Sequence, residues 1–219
     1  MKKTFIIVFA VMTLIGVYSV VAEDIDVDTT WTWQEINAIL DGDANTVGKD
    51  EQTDAQAGDT VNFAAGTYEL PFQRDTWFKL KIDGVNIKGD GEDSGQAWDN
   101  TIFRGADPAI ELIWEIRSSD NTFSNFRTEN SKLGFLINGA DYNNINFQWV
   151  KSIDHMQHYI WREQNDDSQT TIPSINVQNT YVQGGGVGFH FIEDLGATVN
   201  TKYVGGAHLT LDGISGLGI

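Results

Sequence analysis

The sequence predicts an all-β fold in which short parallel strands stack coil upon coil into a solenoid. Three observations predict it. Short apolar alternations recur from residue 58 onward, bounded by Gly, Asn or Asp. Asn121, Asn144, Ser174 and Thr198 each open such an alternation, at spacings of 23, 30 and 24 residues, which suits one coil of two or three strands. No strong two-residue hairpin signal joins neighbouring alternations, and the repeat is single-phase, which disfavours an antiparallel sandwich.

The elements follow in chain order. Lys2 and Lys3 precede an apolar run over residues 5–17, and Val20-Val21-Ala22 offers a small-residue cleavage site, so residues 1–22 are expected to be a secretory signal peptide cut before Glu23. The run is short for a membrane span of ~20 residues. An acidic stretch, residues 23–28, comes next. Thr29 or Thr30 is expected to cap a helix over residues 31–40, where Trp33, Ile36, Ile39 and Leu40 fall on one face. Asp41-Gly42 ends it, and residues 43–57 read as a polar loop closing an N-terminal segment, 23–57.

Residues 58–219 hold the alternations, among them Val61/Phe63, Val85/Ile87, Phe123/Phe126, Ile145/Phe147 and Ile175/Val177. A second kind of segment, opening at Gly134, His158, Gly188 and His208, alternates with the first. The polar stretch 165–171 is expected to bulge from the longest of these coils. The pattern breaks off at Ile219 with no polar cap. The expectation is that further coils or another subunit cover that end, because an open solenoid end exposes apolar groups and unpaired backbone.

Composition bounds the partners. The formal charge is −17, which repels nucleic acid and anionic lipid. With the signal removed, no stable membrane insertion is expected. There is no cysteine, so a disulfide framework is excluded although export would permit one.

Residues 57–69, AGDTVNFAAGTYE, and then 83–93, DGVNIKGDGED, followed by 101–105, TIFRG, resemble the opening coils of right-handed parallel β-helix proteins, the pectate-lyase-like and periplasmic β-helix repeat superfamily. The resemblance covers roughly residues 30–219 and implies a right-handed parallel β-helix with a short N-terminal capping helix. It is specific for fold and open for activity, since that superfamily spans polysaccharide lyases, hydrolases, copper-maturation proteins, adhesins and tailspikes.

Lyases of this fold need a basic residue to take the proton α to a uronate carboxylate, and a cation to neutralise that carboxylate. The scarce basic residues gather between 127 and 163 beside acids able to hold Ca2+. The candidates are Lys151, Arg162, His155 and His158 for catalysis, Trp149, Trp161, Arg127 and Lys132 for substrate binding, and Glu129, Asp154 and Glu163 for the metal. A solvated face of alternating charge fits the same residues, and His155-x-x-His158, which lacks the third ligand a metal pair needs, reads rather as two surface side chains. The Asp166-Asp167 pair lies in a loop context that suits hydrolase chemistry poorly, and Gly184-Gly185-Gly186 lacks the lysine of a phosphate loop. Of seven tryptophans, Trp77, Trp98, Trp114, Trp149 and Trp161 are candidates for a sugar-stacking platform or for packing beneath loops. Two functions stay open: a secreted, carbohydrate-directed protein, in the extreme a polysaccharide lyase, or a non-catalytic binding or structural solenoid such as an adhesin.

Overall fold

The computed structural model describes residues 22–42, 54–73, 75–92, 97–107, 112–138, 142, 144–156, 158–163, 175–178, 180–183, 187–191 and 210–212. The expected signal peptide (but for Ala22), most of the 43–57 loop, the 165–171 bulge, the Asp166-Asp167 pair, the glycines 184–186, the alternation at 198 and the chain end at 219 lie outside these residues.

The first half of the chain carries β1 (Asp24–Val27), α1 (Trp33–Leu40), β2 (Thr60–Phe63), β3 (Gly66–Leu70), β4 (Phe78–Leu80), β5 (Asn86–Gly89), β6 (Thr101–Gly105) and β7 (Leu112–Ile116). The second half carries β8 (Thr122–Glu129), β9 (Leu133–Asn138), β10 (Ile145–Ile153), β11 (His158–Glu163), β12 (Ile175–Gln178), β13 (Tyr181–Gln183), β14 (Val187–Phe191) and β15 (Thr210–Asp212). Among the described residues every strand pairing is parallel. The chain passes back and forth between a ten-stranded sheet and a five-stranded one, β4-β7-β9-β11-β14. Thr60, Asn86, Thr122, Asn146 and Asn176 are successive register partners, so successive coils are 26, 36, 24 and 30 residues long. The 30-residue coil equals the spacing read in the sequence between Asn144 and Ser174, and the 24-residue coil exceeds the 23 read between Asn121 and Asn144 by one. The segment at His208 differs from the reading above: its strand, β15, pairs with β13 in the larger sheet.

Corners are written in left-handed backbone. Gly58, Gly84, Asp120 and Asn144 each stand two residues before one of those register partners, and all four have positive φ. Glycine takes that conformation freely, and Asn and Asp take it more readily than other residues. Inside the larger sheet, β8 and β10 bend at Asn125 and Trp149, with φ of 60° and 55°. At the same level earlier coils break into two strands, β2 and β3 or β5 and β6. Gly89 sits one coil below this bend, where a Cβ would run into the carbonyl oxygen of Asn125.

Inward residues of both sheets meet in an aromatic core. Phe123 lies over its register partner Phe147 with centroids 5.3 Å apart, Phe78 over Trp114 at 4.9 Å, and Tyr68 over Phe103 at 5.4 Å. These distances approach the ~4.8 Å between strands, so ring stacking and strand pairing reinforce each other. Trp114 is fully buried here, which removes it from any sugar platform.

Helix α1 covers one edge. Its N-cap is Thr32 rather than Thr29 or Thr30, because Glu35 completes a capping box with Thr32. Its Asn37 amide donates to Trp77 O at 2.8 Å and accepts from Lys79 N at 2.7 Å, standing in for a further strand beside β4. The acidic stretch contributes a strand of its own: in β1, Asp24 and Asp26 face outward while Ile25 and Val27 are buried. No helix among the described residues is long and apolar enough to cross a membrane.

Candidate functional site

Because all pairings are parallel, residues one coil apart form columns on the outside of the larger sheet. One column runs Thr67, Ile102, Arg127, Lys151, Tyr181, Thr210. Its neighbour runs Glu69, Arg104, Glu129, Ile153, Gln183, Asp212. Alternating signs tie the columns together. Arg104 pairs with Glu129 and reaches Glu69 at 3.5 Å. Arg127 Nη1 donates to Asp99 Oδ1 at 2.6 Å. Arg127 Nε lies 2.8 Å from Glu129 Oε2, an ion pair by distance whose angle is too poor for a hydrogen bond. Lys151 Nζ reaches Asp99 Oδ1 and Oδ2 at 3.0 and 3.1 Å.

Asp99 and Trp98 come from a short 3-10 turn, Ala97–Asp99, which the 36-residue coil lays over this face. The Trp98 and Tyr181 rings are half-exposed, with centroids 5.9 Å apart. Lys151 Nζ stands 5.8 Å from the first ring centroid and 5.6 Å from the second. The result is an aromatic pair with one cation within cation–π reach of both rings, flanked by an arginine.

The smaller sheet carries a different cluster. Glu115 is buried and accepts from Trp77 Nε1 at 2.9 Å, Arg117 Nη2 at 2.7 Å and Asn138 Nδ2 at 2.6 Å. Burial pushes its carboxyl up, but the hydrogen bonds from Asn138, Trp77 and Arg117 outweigh burial and hold it below the ordinary range. Lys79 stands 5.0 Å from the Trp77 ring centroid. These partners occupy the carboxylate from three sides.

The residues singled out in the sequence separate. Lys151, Arg127 and Glu129 meet on the larger sheet. Arg162, His158, Trp161 and Glu163 lie on β11 in the smaller one, where Arg162 takes a register position in the column of Leu80, Ile116 and Ile137, all buried. Trp161 is in register with Leu136 and His190, and Glu163 with Asn138. Lys132 is half-buried just before β9, Asp154 is exposed at a corner with φ of 54°, and Trp149 is half-buried at the β10 bend. They do not form one constellation.

His155 requires a correction, because it is an interior residue rather than a surface one. Ser131 Oγ donates to Leu133 O at 2.6 Å, so it accepts from His155 Nδ1–H at 2.7 Å, and Thr128 Oγ1 then donates to Nε2 at 3.0 Å. Burial pushes this imidazole down to about 4. Both nitrogens are engaged and the side chain is 3% exposed, so it cannot reach a substrate or a metal.

The three acids considered for Ca2+ lie at different places in the fold. Glu129 is held by Arg104 and Arg127, while Asp154 and Glu163 stand on other elements. Among the described residues no group of three or more potential ligands gathers in one place. Trp98, Asp99 and Tyr181 are the site residues that the sequence reading missed or left unweighted. Only the excess length of the 36-residue coil hints at the turn that brings two of them here.

The described residues define a parallel, two-sheet β protein with an aromatic face whose charges are paired. No protein-family model matches the chain, and no curated protein matches it. Among solved structures it is similar to a crystal structure of pectate lyase Pel9A, at 9% identity and a TM-score of 0.33, over 85% of this chain and 61% of that one. The chain thus spans about three-fifths of that protein.

Proposed function

We propose that the chain is an exported right-handed parallel β-helix protein, with residues 58–219 as the helix, that binds carbohydrate through the exterior of its larger sheet. The observation that carries this reading is the half-buried Trp98–Tyr181 pair with the Lys151 ammonium about equally distant from both rings. Sugar rings have apolar faces that stack on indole and phenol, and polar rims that take hydrogen bonds from ammonium and guanidinium groups. The apolar leader after Lys2-Lys3 supports export, and a polysaccharide is the partner such a protein would meet outside the cell.

Binding is favoured over elimination. A lyase needs a base free to take a proton, whereas Lys151 and Arg127 are both committed as donors to Asp99. Affinity electrophoresis through gels containing pectate, alginate or chondroitin tests the reading. At least one polymer should retard the protein, and Trp98→Ala should weaken that retention about fivefold, as loss of one aromatic contact implies. Absorbance of unsaturated product should stay flat with and without added calcium. Product formation would replace binding with lyase activity, and no retardation by any polymer would remove the carbohydrate reading.

A further inference from the structure

In the first full coil one strand lacks a neighbour. Strand β1 pairs with β2, and Asn37 of α1 bonds to the start of β4. Between them, β3 pairs with β6 alone among the described strands. In a parallel ladder the backbone groups of successive residues point to opposite edges. Gly66 N–H donates to Asn100 O at 2.8 Å, and Leu70 O accepts from Ala106 N–H at 3.1 Å, so Gly66, Tyr68 and Leu70 serve the β6 side. The N–H and C=O groups of Thr67 and Glu69 therefore point to the other edge, where no described strand receives them. A cleft of about 450 Å³ borders these two residues and is walled by Trp31, Trp33, Ile36 and Phe78. Its size is that of a ligand cleft, roughly 300–1,000 Å³. Phe72, next in the chain to the lining residue Pro71, is 71% exposed.

Charge narrows what this edge can take. Glu69 is the one ionised side chain among the described lining residues, and it is 63% exposed. Arg104 Nη1 reaches it only at 3.5 Å, while Arg104 Nε is held by Glu129. The column Glu129, Arg104, Glu69 alternates in sign, so the position beyond Glu69 suits a cation. The inward column Phe103, Tyr68 suits an apolar side chain at its next position. We propose that the free edge of β3 takes an extended peptide segment of a partner protein as an added parallel strand, with an apolar residue in register with Tyr68 and a lysine or arginine in register with Glu69. The residue opposite Tyr68 donates its N–H to Thr67 O and accepts from Glu69 N–H. Main-chain bonds supply the affinity, and the alternate side chains supply the specificity. A formal charge of −17 draws a basic segment toward the chain. The inference does not depend on carbohydrate binding.

The probe is a fluorescent peptide, Ser-Thr-Val-Lys-Val-Ser with blocked ends, and the readout is its polarisation on titration with the full chain. It should bind with a dissociation constant below about 1 mM. The same peptide with glutamate in place of lysine should bind the native protein about fivefold more weakly, the scale of one exposed ion pair, and Glu69→Lys should reverse that preference. N-methylation of the first valine removes the N–H offered to Thr67 O and should weaken binding about fivefold, the scale of one hydrogen bond. That arm needs no protein variant, so it stands even where Glu69→Lys folds poorly. Absence of binding by the lysine peptide at about 1 mM, equal binding of its N-methylated form, or a charge preference that Glu69→Lys leaves unchanged overturns the added strand. A dimer in light scattering that Glu69→Lys dissociates would place a second copy on this edge and overturn the peptide.

Discussion

Replacing Phe103 by alanine is expected to lower the unfolding free energy by about 4 kcal/mol, the range for removing a fully buried aromatic ring. Phe103 is 0% exposed. It meets five rings: Phe63 at 4.9 Å, Tyr68 at 5.4 Å, Phe78 at 5.3 Å, Trp114 at 5.1 Å and Phe126 at 5.0 Å. Those partners come from both sheets and from neighbouring coils, so collapse into the gap would have to move several strands at once. Against a usual stability of about 5–15 kcal/mol, the loss is large enough to unfold much of the population. Urea unfolding followed by tryptophan fluorescence measures it, and Phe103→Leu should lose far less because most of the volume remains. A cost below about 1 kcal/mol for the alanine variant would mean that the two sheets do not share this core.

Acid should destabilise the protein through His155. The ordinary imidazole value is 6.5, and burial takes it to about 4 in the folded chain. Between those values the unfolded chain binds a proton that the folded chain refuses. The contribution of His155 is therefore complete above pH 6.5, declines as pH falls, and is gone below pH 4. The full difference is about 3 kcal/mol. Urea unfolding of the native protein at pH 7.5 and 4.5, beside His155→Gln at the same two values, isolates this share from that of the carboxylates. The acid-induced loss should shrink by about 2–3 kcal/mol in the variant. Equal losses in both proteins would place His155 in contact with water.

Much of this architecture is legible in the chain. The inward column Val61, Ile87, Phe123, Phe147, Val177 can be read from alternation alone, and all five are buried. The corner residues Gly58, Gly84, Asp120 and Asn144 are of the types that left-handed backbone selects. Strand β1 is harder to see because its acidic composition suggests a solvated tail, yet Asp24-Ile25-Asp26-Val27 is a period-two pattern. The capping box was available as Thr32 followed three residues later by Glu35.

The site was less legible, for reasons of distance. Spacing along the chain groups Lys151 with Arg162, but a corner between β10 and β11 sends them to different sheets. His155 looks exposed until the coils are aligned. The inward column then runs Tyr68, Phe103, Thr128, Ser152, and the change from rings to small hydroxylated side chains leaves room for an imidazole. Nothing local predicts that Asp99 will reach Lys151 across 52 residues, because that contact depends on how a long coil folds back over the sheet. Register carries the fold and aligns Arg127, Lys151 and Tyr181, whereas the insertion between β5 and β6 supplies Trp98 and Asp99.

Carbohydrate is proposed to meet this protein on the larger sheet, at Trp98 and Tyr181. The most direct measurement is an NMR titration of the native protein with galacturonate oligomers, following the tryptophan indole N–H signals, with Trp98→Ala and Trp77→Phe used to assign the two partly buried indoles of interest. Shifts that concentrate at Trp98, with Trp77 on the smaller sheet unmoved, are the predicted result. Shifts centred on Trp77, or no shift at any indole at saturating oligomer, would contradict the account.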